Sequence, residues 1–148
     1  MFGTYWPYLL AVGVGAGLTV QVGMNATVGR TLGSPLWASV INFVVGLVAL
    51  LVCAWTLAPR VGSGSLGQVP GWAWLAGLLG GAYVVGTTLL GPRIGALALI
   101  AFVLAGQLVM ALLVDQFGIL GFPRAPISAT RLLGAALLVA GALLVVRR

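Results

Sequence analysis

The chain has 148 residues, 61% of them hydrophobic and only 5% charged, with a formal net charge of +6. A soluble domain carries roughly a quarter of its residues as charges, so a water-facing globular fold is excluded, and the apolar content excludes disorder. With no His, no Glu, one Asp and one Cys, the chain cannot assemble a carboxylate dyad, a catalytic triad or a metal site, so neither enzyme chemistry nor a metal or other cofactor is expected.

Five apolar runs are long enough to cross a bilayer as helices, which needs about 20 residues each. The sequence predicts one all-α transmembrane domain over residues 1–148. Its helices fall at about 7–27, 35–57, 72–90, 94–114 and 131–146. The first run has no Lys or Arg ahead of it and is long for a signal peptide, so it reads as a retained helix. Gly29-Arg30 and Gly33-Ser34-Pro35 separate the first two runs, and Ala58-Pro59-Arg60 with Gly62 to Ser65 the next two. Gly91-Pro92-Arg93 reads as a tight turn between the third and fourth. Gln116 to Thr130 joins the last two. Tyr5, Trp6, Tyr8, Trp55, Trp72 and Trp74 sit near the ends, where aromatic rings favour the headgroup region. Gly13 with Gly17, Gly77 with Gly81, and Ala101 with Ala105 are small-xxx-small pairs that suit close helix packing.

The arginines are spread evenly. The face holding the N-terminus carries Arg60, Arg124 and Arg131; the opposite face carries Arg30, Arg93, Arg147 and Arg148. Topology follows the Lys/Arg bias of short loops, and here that bias is almost nil. The expectation is insertion in both orientations. An odd number of helices then makes an antiparallel homodimer a ten-helix assembly of inverted repeats, the plan of many secondary transporters. Scattered single arginines suit phospholipid headgroups and do not form a nucleic-acid stripe.

Polar side chains within the runs are few, and such groups usually face a cavity or another helix. Gln21 and Asn25 share one face of the first helix. Asn42 lies in the second, Thr87 and Thr88 near the end of the third, and Gln107 near the middle of the fourth. The amides are candidates for a substrate pocket; interhelical hydrogen bonding is the structural alternative. Tyr83 and Trp37 could supply aromatic walls. Asp115, the one acidic side chain, ends the fourth helix where Arg131 opens the fifth. An ion pair clamping the loop is the simpler role for these two, and proton coupling the alternative.

Gln21-Val22-Gly23-Met24-Asn25-Ala26, Gly29 to Pro35, and Ala38 with Asn42-Phe43 resemble the opening of the YdcZ family. Gly77 to Val85, Pro92 to Ala96, Gly106-Gln107, Asp115 to Gly118 and Arg131 to Gly134 resemble its second half. Where Asn42 stands here, that family often has Ser. The resemblance implies the drug/metabolite transporter superfamily and an antiparallel homodimer of five-helix chains in a cell membrane, the bacterial inner membrane. It gives Gln21, Asn25, Gln107 and Asp115 as the family's polar positions and names no substrate. The function expected is movement of a small polar or amphipathic metabolite by alternating access. A passive channel and a non-transporting accessory subunit are the alternatives.

Overall fold

The computed structural model describes residues 5–58, 62 and 66–146. Three arginines of the topology count, Arg60, Arg147 and Arg148, lie outside the described residues, as do Pro59 and Ser63 to Ser65. The described residues contain five α-helices and no strand. They are α1 (Trp6–Leu32), α2 (Pro35–Leu57), α3 (Ala76–Ile94), α4 (Ala96–Phe117) and α5 (Ala129–Val146). A 3-10 turn over Gly71–Leu75 leads into α3, giving a third span of 24 residues. All five spans have the length and hydropathy to cross a membrane.

The chain divides into two compact units, one up to Arg93 and one from Ile94. In the first, α1 and α2 pack as an antiparallel hairpin. Its turn is short because both helices are capped at once. Gly33 stops α1 with φ +65°, and the amides of Gly33 and Ser34 donate to the carbonyls of Arg30 and Gly29. Ser34 then caps α2 by accepting from the Trp37 amide at 3.4 Å, with Pro35 in the first turn. α1 thus runs five residues past its expected end, through Gly29 and Arg30, since a cation in the last turn suits the helix dipole and nothing before Gly33 breaks the ladder.

α3 meets this hairpin through small residues. A Cβ placed on Gly29 would sit 3.4 Å from Thr88 Cγ2, 3.5 Å from Pro35 Cα and 3.7 Å from the Ala38 Cβ. Gly80 lies against Phe43, whose Cζ would be 3.6 Å from a Cβ there. The C-terminal end of α3 is therefore at the hairpin turn. Contrary to the sequence reading, Pro92 and Arg93 form no turn: α3 continues through Pro92 to Ile94, and the break comes at Gly95, φ +83°. A proline in a last turn keeps helical φ and withholds only one amide, the one that would serve the Thr88 carbonyl. Tyr5, Trp6, Tyr8, Trp55, Trp72 and Trp74 are all exposed, and all belong to the end of this unit remote from the hairpin turn, forming an interfacial belt.

In the second unit α4 packs on α5. Gly118 ends α4 with φ +61°, and the connecting loop folds back on the helix end. The Ala125 amide donates to the Asp115 carbonyl at 2.8 Å, and the Ile127 amide to Gln116 Oε1 at 2.8 Å.

Large apolar side chains point outward in both units: Leu50 is 68% exposed in the first and Leu97 71% in the second. Hydrocarbon, or another apolar chain, is the solvent such a surface requires. Among the described residues, a Cβ on Gly13, Gly17, Gly77 or Gly81 would meet nothing within 4 Å, so these small-xxx-small pairs leave open space.

Candidate functional site

Hydroxyls inside a span can satisfy themselves by bonding the carbonyl one turn back. Thr19, Thr27, Thr31, Ser39, Thr56 and Thr87 all do so. Carboxamides are longer, carry both donors and acceptors, and are not served this way. Gln21, Asn25 and Asn42 form no side-chain hydrogen bond among the described residues, and the three line one cavity of about 550 Å³ between α1 and α2. Met24, Val28, Phe43 and Leu47 are among its apolar walls.

The hairpin geometry explains the convergence. Asn25 lies eight residues before Gly33 and Asn42 eight after Ser34, so both stand about 12 Å from the turn. Gln21 is one helical turn, about 6 Å, further along α1. With the turn at the edge of a hydrocarbon layer of about 30 Å, the three amides would straddle its middle. Asn25 is 7% exposed, and Gln21 and Asn42 are half-buried. The cavity is apolar in area with a few hydrogen-bonding groups, the usual make-up of a small-molecule site.

Tyr83 and Trp37 stand apart from this cavity. Tyr83 is half-buried on α3, where the residue meeting α2 is Gly80. Trp37 is 63% exposed in the first turn of α2. Gln107 belongs to the second unit, where it lines a cavity of about 270 Å³ with Met110, Val114, Asp115 and Phe122. Asp115 accepts a hydrogen bond from Arg131 in an ion pair. Arg131 also donates to the Ala125 carbonyl at 2.7 Å, and Arg124 Nε to the Gln116 carbonyl at 3.2 Å. No group of three or more potential metal ligands occurs among the described residues.

The family described as "Putative inner membrane exporter, YdcZ" matches residues 6–144. The chain belongs to this family. It is 34% identical over 142 residues to the "Inner membrane protein YdcZ" of Escherichia coli (strain K12), covering 95% of this chain and 93% of that one. No solved structure matches significantly. Membership, with five spans of this length, makes the chain a multi-pass protein of the bacterial inner membrane. The family's description is that of a membrane exporter, which makes it a transporter family.

Proposed function

We propose that the chain exports a small polar or amphipathic metabolite by alternating access, working as an antiparallel homodimer. The observation that carries this reading is the cavity between α1 and α2, where Gln21, Asn25 and Asn42 form no side-chain hydrogen bond among the described residues. Uncharged amides select a ligand by hydrogen bonds, and they cost less to hold in an apolar layer than charges do. A site at this depth can be opened to either face by rocking one bundle against another.

The dimer is supported by the even spread of arginines and by the outward apolar surface, on which Gly13, Gly17, Gly77 and Gly81 leave open space for another backbone. A second copy would contribute its own Gln21, Asn25 and Asn42. Gln107 and Tyr83 of both copies are proposed to complete the pathway.

Two measurements test the proposal. C-terminal fusions to a reporter active only in the cytoplasm and to one active only outside should both give signal; signal from one alone removes the antiparallel homodimer. In proteoliposomes screened with radiolabelled small metabolites, the solute that moves should lose at least about tenfold of its flux in Gln21→Ala and in Asn25→Ala, the scale of one lost ligand hydrogen bond in a desolvated site. Unchanged flux in both variants removes the site.

A further inference from the structure

The end of the first unit opposite the aromatic belt holds a second pocket, of about 320 Å³. Arg30, Arg93 and Thr88 line it, with Gly29, Gly33 and Pro35. It is separate from the amide cavity and lies at the hairpin turn, where α1 and α3 end and α2 begins.

Thr88 is the anomaly. It is 3% exposed, and its Oγ1 is a fully buried polar atom with no hydrogen-bond partner among the described residues. Every other serine or threonine of α1, α2 and α3 bonds the carbonyl four residues back. For Thr88 that carbonyl belongs to Val84, and the Thr87 hydroxyl already bonds it at 3.1 Å. A buried hydroxyl left unpaired costs free energy, so its persistence calls for a partner that the chain does not supply.

The charges point to the kind of partner. Arg30 donates only to the Thr27 hydroxyl, at 3.1 Å, and Arg93 makes no side-chain hydrogen bond among the described residues. The chain has one acidic side chain, and Asp115 is engaged by Arg131, so no carboxylate side chain remains to neutralise either arginine. Two helix C-termini and one N-terminus meet here. Their partial charges offset part of the guanidinium charge and leave the pocket about one and a half charges positive.

We propose that this pocket is an oxyanion site in which Arg30 and Arg93 bind a phosphate-type group and the Thr88 hydroxyl donates to one of its oxygens. Guanidinium forks match the geometry of such a group, and a small shift of the Thr88 side chain would bring its unpaired hydroxyl, fully buried at the pocket lining, to one of the oxygens. The phosphate can belong to a lipid headgroup or to a free solute; the recognition chemistry is the same. The site is independent of the transport proposal and stands or falls without a measured flux.

The test uses the full chain in an uncharged maltoside micelle. Thermal unfolding is followed against sodium phosphate at constant ionic strength, and in a second arm against added phosphatidylglycerol. The expected result is saturable stabilisation in at least one arm. Response in the phosphate arm identifies a free oxyanion, and response only to phosphatidylglycerol identifies a headgroup. Arg30→Gln and Arg93→Gln should each weaken the apparent affinity about tenfold, and Thr88→Val roughly fivefold. Thr88→Val should also unfold at a higher temperature than wild type when no anion is present, because a valine of the same shape removes the unpaired hydroxyl. That opposite pair of effects keeps the test open even if an arginine variant fails to fold. Arg124→Gln, in the other unit, removes the same charge and should leave the affinity unchanged. The proposal is overturned by no saturable response in either arm, by Arg124→Gln weakening binding as much as Arg30→Gln, or by Thr88→Val behaving as wild type.

Discussion

The two helical hairpins reverse direction by opposite means. Between α1 and α2 the chain turns within Gly33 and Ser34, using a left-handed glycine and a serine cap, with no ion pair among the described residues. Between α4 and α5 it makes a longer excursion, from Gly118 to Ser128, tied by Arg131 to Asp115 and to the Ala125 carbonyl, by Arg124 to the Gln116 carbonyl, and by backbone bonds. The same residue type therefore has different uses at the two places. Arg124 and Arg131 are absorbed in holding a loop, while Arg30 and Arg93 remain available. The single carboxylate takes Arg131, and a backbone carbonyl at the same helix end takes Arg124.

The largest expected effect compares the two helix-ending glycines. Both have positive φ, but a Cβ on Gly33 would meet nothing within 4 Å, whereas one on Gly118 would lie 2.9 Å from the Arg124 Cβ and 3.1 Å from its backbone. Gly33→Ala should cost about 1 kcal/mol, the left-handed penalty alone. Gly118→Ala should cost about 3 kcal/mol, because the loop must also shift. Thermal unfolding in detergent measures both, and equal losses would mean the α4–α5 loop is not held against the helix end.

A middle-sized effect comes from the ion pair. Asp115→Asn leaves Arg131 without its charged partner, but the Arg131 side chain is 39% exposed and the Asp115 side chain 26%, so water screens much of the interaction. A loss of about 1 kcal/mol is expected, with faster proteolysis between Gly118 and Ser128. An unchanged cleavage pattern would show that backbone bonds suffice to order the loop. The smallest effect belongs to the cap. Ser34→Ala removes a long hydrogen bond and should cost about 0.5 kcal/mol, read as a small drop in the unfolding midpoint with the amide cavity unaltered.

The five spans were legible in the sequence because a bilayer imposes a minimum apolar length that each run meets. Their ends were less so. Gly29-Arg30 and Pro92-Arg93 look like breaks when read locally, yet a helix carries an arginine or a proline through its last turn at little cost, and what stops α1 and α3 is a glycine with positive φ at 33 and at 95. The placement of Gln21 with Asn25 followed from their spacing of four. That Asn25 and Asn42 lie at similar depth is also readable by counting along the two runs, and the two-residue turn brings them level. The orphaned hydroxyl of Thr88 had no signal in the sequence, because Thr87 beside it is chemically identical and only the competition for the Val84 carbonyl separates them.

The aromatic belt has a spectroscopic consequence. Of the five tryptophans, Trp6, Trp55, Trp72 and Trp74 stand at one end of the first unit, and Trp37 stands alone at the other, in the first turn of α2. Native fluorescence is thus weighted four to one along the membrane normal. A water-soluble quencher confined to one side of a vesicle would dim a sample of uniform orientation by unequal amounts from inside and outside, and a mixed population by equal amounts. The unmodified polypeptide carries its own optical compass for which way up it sits.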